Sequence, residues 1–460
     1  MIAAVVYVVL IVVLGYAAAC LFRPDTEMPV TTQIGTAIVF GAALAGILLF
    51  LLSCIGILAG VGAIVLAIAA VLCGSIVAIR KSYFRRPDRN PDPKATLLLL
   101  LPITFALALI MVHAFGHVNY EWDAYMNWDI KARVLTHSAI TETNFFRDLN
   151  FVSIHLGYPL LLPFHLALVN GIAGQNLDIA HKVVFPFLFI GMALLLYGDL
   201  SRTLKQWSAL IILGLFVTTP AIIRWTGSGL ADVPLAVFYA GWLVFVRRWL
   251  HTQDHRNLIV AGVMIAGAAF TKNEGMAIAA LGVVAVAVMA ISRREYKALT
   301  LHTLVILLCV LPWLSYRQGF PQLNENYPGR LSLDTLITNA ARLSEIGVGF
   351  GKLFLSFSHW HWFWPLLLIS VIFGGRALRA PATMVVAGML LAHTFVYVLV
   401  FWIGSQPELA HMIATVGPRL SIHLSVPALL LLADCWASCH RQCAAVTPRG
   451  GDTPIRTAEQ

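Results

Sequence analysis

The stretch NLIVAGVMIAGAAFTKNEGMAIAALGVVAVAVMAI, residues 257–291, decides the fold. Two apolar runs, 257–272 and 274–291, flank one short turn that carries Lys272 and Glu274. Outside that turn neither run offers a polar face for water. A helix that is apolar all round needs cover all round, and two such runs back to back call for a bilayer. The two charges then sit where the hairpin leaves the membrane.

The rest of the chain repeats this pattern. Of its 460 residues, 59% are hydrophobic and 12% charged, about half the charged share of an average soluble protein. A single soluble core stops growing near 250–300 residues, so the composition excludes a cytosolic enzyme, a disordered chain and a coiled coil. The expected fold class is an all-α polytopic membrane protein with about 13 transmembrane helices. Spans are expected near 2–21, 33–53, 55–79, 96–115, 180–199, 207–224, 231–248, 257–272, 274–291, 299–316, 352–373, 382–402 and 418–435.

The net charge of +9 is a topology signal. Lys and Arg concentrate around Arg23, in Arg80–Lys94, at Arg202 and Lys205, Arg247 and Arg248, Arg293 and Arg294, Arg376 and Arg379, and beyond Arg441. Alternating the spans puts all these clusters on one side, which the positive-inside rule makes cytoplasmic. The N-terminus is then outside, the C-terminus inside, and no nucleic-acid partner is needed to explain the charge.

Two outer loops exceed hairpin length, residues 116–179 and 317–351. The first holds EWDAYMNWDIKARVL, residues 121–135, where Glu121, Asp123, Asp129 and Lys131 stand among aromatic residues. Its apolar positions, Trp122, Tyr125 or Met126, Ile130 and Val134, recur at helical spacing and suggest an interfacial helix. Further on, His155, Tyr158 and the apolar run 160–169 read as a re-entrant or interfacial helix, too short to span. Other charges cluster at the same face: Arg224 and Asp232, Lys272 and Glu274, and Arg419. Carboxylates there suit a base or a hydroxyl ligand, and Lys and Arg suit a phosphate. The paired carboxylates fit either a Mg²⁺ or Mn²⁺ site or metal-free base catalysis. No phosphate-binding Gly-rich loop for ATP occurs.

These elements together resemble the GT-C class of membrane glycosyltransferases, family 39-like, which includes protein O-mannosyltransferases and lipid A aminoarabinose transferases. EWDAYMNWDIKARVL is similar to that class's acidic loop motif and the short helix after it. HLGYPLLLP is similar to its His-Pro-Pro-Leu segment, with Tyr158 replacing the first proline. GLADVPLAVF and AAFTKNEGMAI are similar to its Asp-x-Pro-Leu and Leu-Thr-Lys-x-x-Gly elements. The similarity covers about residues 96–300. In this chain Trp122 separates Glu121 from Asp123, and three spans precede the usual first core helix.

The resemblance implies a core over 96–300, with 1–79 as an N-terminal three-helix extension and 80–95 as a basic cytoplasmic loop. Residues 301–435 are then C-terminal helices and 436–460 a cytoplasmic tail. It implies inverting transfer of a sugar from a polyprenyl-phosphate donor to an envelope acceptor (lipid, glycan or protein) on the periplasmic face. Asp123 is the implied base, with Glu121 and Asp232 orienting base or sugar. Asp129, Lys131, His155, Tyr158, Arg224, Lys272, Glu274 and Arg419 are the implied substrate-binding residues. A polysaccharide polymerase or ligase, and a transporter or flippase, are the rival readings. The second outer loop keeps the first rival open; charges at one face rather than mid-bilayer argue against the second.

Overall fold

The computed structural model describes residues 1–22, 28–80, 93–321, 327–405 and 408–446, and among these there is helix and no strand. The first half runs α1 (Ile2–Phe22), α2 (Val30–Cys54), α3 (Ala59–Arg80), α4 (Pro93–Phe115), a π-helical turn Asp123–Asp129 continuing as α5 (Ile130–His137), α6 (Leu161–Ala173), α7 (Val184–Thr203), α8 (Gln206–Val217) and α9 (Pro220–Gly227). The second half runs α10 (Asp232–Thr252), α11 (Arg256–Ala269), α12 (Asn273–Ser292), α13 (Tyr296–Tyr316), α14 (Tyr327–Arg330), α15 (Leu333–Thr338), α16 (Arg342–Phe354), α17 (Phe357–Trp360), α18 (Phe363–Gly374), α19 (Pro381–Ile403) and α20 (Leu409–Val446).

Nine helices of the described residues are long and apolar enough to cross a membrane, and a tenth crossing arises if α8 and α9, bent by 62°, count as one. This makes the chain a multi-pass membrane protein. The expected spans 96–115 and 257–272 are helices, α4 and α11, whose described apolar parts, Leu100–Phe115 and Arg256–Ala269, are shorter than a full crossing. The expected span 352–373 is not one helix. It breaks into α16, α17 and α18: Ser356 is extended and His361 takes φ 37°, a left-handed value rare outside glycine. His361 Nε2 meets Thr219 Oγ1 at 3.2 Å, and Trp360 is buried. Pro365, in the first turn of α18, suits a helix that restarts there.

The bundle is centred on α10, of which every residue from Asp232 to Leu250 is buried. It packs against α7, α11 and α20. The three N-terminal helices are built into this bundle rather than standing apart. α2 lies against α7 and α11, and α3 lies against α6. The apolar run 160–169 is α6, a helix shorter than a full crossing, as expected, and it is buried from Leu161 to Asn170 among α1, α2, α3 and α5. The helix α20 continues through 436–446, where a tail was expected. Residues 447–460, Arg23 and most of the basic loop 80–95 lie outside the described residues.

Candidate active site

Asp232 is the first residue of α10, and its side chain is fully buried. The turn before it holds Gly229 at φ 85°. A Cβ there would lie 2.4 Å from Asn119 Oδ1 and 3.1 Å from Ala124 Cβ. Gly229 thus serves both a left-handed turn and the close approach of the first outer loop. That approach sets Asp123 beside the end of α10. The second fixed point is the turn between α11 and α12. A Cβ on Gly275 would lie 1.9 Å from the carbonyl oxygen of Ala268, so the hairpin can close tightly only with glycine there. Lys272 is the residue before α12 and is turned inward.

Four elements meet here. Lys272 Nζ donates to Asp232 Oδ1 at 2.9 Å and pairs with Glu274 Oε1 at 2.8 Å. Arg419, in α20, donates from Nε to Asp232 Oδ2 at 2.9 Å and from Nη1 to Asp123 Oδ2 at 2.7 Å. Asn127 Nδ2 donates to Asp123 Oδ1 at 2.9 Å. The π-helical turn carries both partners, and Asn127 lies four residues after Asp123 on its inner face. Three carboxylates therefore face two cations. Asp232 is sealed, whereas the Asp123 side chain is 30% exposed and that of Glu274 26%.

Beneath Asp232 lies a polar layer that sequence reasoning did not find. His423 is buried with Nε2 3.6 Å from Asp232 Oδ1, and its Nδ1 meets the hydroxyl of Tyr397. With that hydroxyl donating, Nε2 carries the ring proton and turns it toward Asp232. The His393 ring stacks on His423 with centroids 6.1 Å apart. Both nitrogens of His393 and the hydroxyl of Tyr239 are buried with no hydrogen-bond partner among the described residues. The available signal was spacing. His423 follows Arg419 by one helical step of four, as Asn127 follows Asp123.

The other expected site residues stand elsewhere. Asp129 is buried, bonded to Arg133 Nε at 3.1 Å and 3.5 Å from His181 Nε2; Arg133 reaches on to Asp178 at 2.8 Å. Lys131 is fully buried, and its Nζ donates to the carbonyl oxygen of His155 at 2.7 Å, between the rings of Trp128 and Tyr158. Burial pushes its ammonium pKa down to about 7. Residue 155 itself takes φ 49°, and the His155 ring stacks on Tyr158 at 4.8 Å. Asp129, Lys131, His155 and Tyr158 thus knit the first outer loop together. Glu121 and Arg224 form a 4.0 Å pair, with Arg224 stacked on Trp225. Trp122 and Tyr125 point outward, 53% and 47% exposed.

The described residues do not assemble a metal centre. No group of three or more His, Cys, Asp or Glu side chains stands close enough to hold an ion among the described residues. The Asp123 and Asp232 carboxylates bond to Asn127, Lys272 and Arg419 instead.

Residues 158–316 match the family described as dolichyl-phosphate-mannose-protein mannosyltransferase. That stretch includes Asp232, Lys272 and Glu274 and lies between Asp123 and Arg419. No curated protein and no solved structure matches the chain.

Proposed function

We propose that this chain is a membrane glycosyltransferase of the GT-C type, moving a sugar from a polyprenyl-phosphate donor to an envelope acceptor on the periplasmic side of a bacterial inner membrane. The observation that carries this reading is the arrangement of Asp123. It is a partly exposed carboxylate held by Asn127 and Arg419, at the end of the bundle where Glu274 is also partly exposed and Lys272 turns inward beside it. The family matched by residues 158–316 supports the chemistry.

In this reading the donor phosphate lies against Lys272 and Arg419. An acceptor hydroxyl gives its proton to Asp123, and its oxygen bonds to the anomeric carbon from the face opposite the phosphate. The bond between that carbon and the phosphate oxygen breaks, its electron pair leaves with the lipid phosphate, and configuration inverts. The phosphate is already a good leaving group, so no general acid is assigned. Cations aimed at the charge that grows on the leaving oxygen supply the electrostatic part of catalysis. Asp232, being sealed, touches neither substrate; it positions Lys272 and Arg419. No step is assigned to a metal.

The test is transfer by membranes containing the protein. A radiolabelled polyprenyl-phosphate sugar should deliver label to lipid, glycan or protein. Activity only with an undecaprenyl-diphosphate oligosaccharide would replace this reading by the polymerase one. Facilitated movement of intact donor across vesicles without transfer would replace it by the flippase one.

A further inference from the structure

Asp232 anchors both cations assigned to the donor phosphate, and its side chain is fully buried. The groups packed around it therefore fix how it presents them. Lys272 holds Oδ1 and Arg419 holds Oδ2. A carboxylate has lone pairs for about four donors, and His423 supplies a further group aimed at Asp232. His423 is fully buried, and its Nε2 lies 3.6 Å from Oδ1. That separation is too long for a hydrogen bond, and Nε2 has no other partner among the described residues. A buried polar group left unpaired is costly and calls for an explanation.

The ring is held in one tautomer from both sides. The Tyr397 hydroxyl donates to Nδ1, which leaves the proton on Nε2. The other tautomer would set the Nε2 lone pair against an anionic carboxylate. His393 stacks on the ring with the two planes 7° apart. Under the proposed function, on which this inference rests, the bond from the anomeric carbon to the phosphate oxygen breaks and its electron pair stays on the phosphate. Lys272 and Arg419 are then drawn more strongly toward the phosphate than before reaction. They keep their bonds to Asp232 but neutralise its charge less. An N–H poised behind that carboxylate is attracted more strongly as a result. The gain comes only as charge develops, which is the condition for raising the rate rather than the affinity.

We propose that His423 is a positioning residue for the transfer: its Nε2–H closes on Asp232 Oδ1 as charge builds on the leaving phosphate, and so keeps Asp232 holding Lys272 and Arg419 in place. Being sealed in the bundle, His423 touches neither substrate.

The test compares His423→Gln with His423→Met, in membranes holding equal amounts of folded protein. The donor is the radiolabelled sugar that the parent accepts from a panel of undecaprenyl-phosphate hexoses and pentoses. Glutamine carries an amide N–H about as far from the backbone as the imidazole Nε2, and methionine matches its length with no donor. Both lose the ring, so a purely structural role would lower their turnover alike. His423→Met should lose about 10–100-fold in kcat, the worth of a hydrogen bond to a charged group, with donor KM within a few fold of the parent. His423→Gln should keep kcat within a few fold. His423→Asn, whose shorter amide reaches toward Tyr397 but not Asp232, should show the same loss as His423→Met and replaces it if that variant does not accumulate. Equal kcat in His423→Gln and the variant without a donor, or a loss confined to donor KM, overturns the role of His423 while leaving the proposed function standing. A parent that transfers sugar from no donor in the panel removes both.

Discussion

α10 carries an ionic cluster at each end, and the two differ in a way that separates holding from doing. From Asp232 to Arg247 is about 22 Å along the helix. At the far end Arg247 donates from Nε to Asp199 and from Nη1 and Nη2 to both oxygens of Asp434, which also accepts from Thr383. The Arg247, Asp199 and Asp434 side chains are at most 8% exposed. Every nitrogen of that guanidinium is used, and α7, α10, α19 and α20 are tied at one point. At the near end Arg419 uses Nε and Nη1, Glu274 Oε2 is buried without a hydrogen-bond partner among the described residues, and Asp123 is 30% exposed. A closed cluster spends its hydrogen bonds on the fold. An open one keeps some back for a ligand.

The largest effect expected from breaking this comparison is at the closed end. Arg247→Met leaves the buried Asp434 without its cation and Asp199 with only Arg202, 3.9 Å away, a loss of about 3–5 kcal/mol for a broken buried pair. The variant should fail to accumulate as folded, monodisperse protein in detergent, as size-exclusion chromatography will show. At the open end Lys272→Met should behave differently. Arg419 still pairs with Asp232, so the protein should fold. Transfer should fall by about 10²–10³-fold, the usual cost of one electrostatic donor at a reacting centre.

A smaller effect separates both clusters from the loop that carries Asp123. Lys131 has its pKa pushed down to about 7 by burial, whereas in the unfolded chain it keeps its proton to near 10.4. Between these values the unfolded state binds more protons than the folded one, so stability contributed at this site rises with pH from about 7 to 10. Melting temperatures at pH 7, 8.5 and 10 should show that rise relative to Lys131→Met, which lacks the titrating group. The smallest effect is beneath the open cluster. The unpartnered nitrogens of His393 sit beside His423 and Tyr239, a polar enough place to hold water. His393→Leu should then lower the melting point slightly, by about 1 kcal/mol of stability for the lost hydrogen bonds. A rise in melting point would mean a dry site.

Much of this was legible in the sequence, for reasons that also explain what was not. Long apolar runs have one physical solution in a bilayer, so nine helices stand where spans were expected. Hydropathy does not register a backbone break inside a continuous apolar run, so the interruption at Ser356–Trp362 was invisible. Nor could a run as short as α6 declare that the bundle would surround it. At the site, Asp123, Asp232, Lys272, Glu274 and Arg419 stood out because isolated charges at span ends are costly, and the structure gathers these five. Lys131 and Asp129 carried the same signal but are used inside the loop. Charge alone does not tell a ligand-facing side chain from a folded-in one. Asn127, Tyr397 and His423 were missed because uncharged or weakly basic residues within helices look like ordinary packing.

The central claim is that the exposed carboxylate of the open cluster does the chemistry. It is tested most directly by turnover of Asp123→Asn with a radiolabelled polyprenyl-phosphate sugar, in membranes holding equal amounts of folded parent and variant. A positioned general base contributes about 10²–10⁴-fold. The account predicts a loss of that size with insertion and melting point unchanged. Turnover within a few fold of the parent would contradict it.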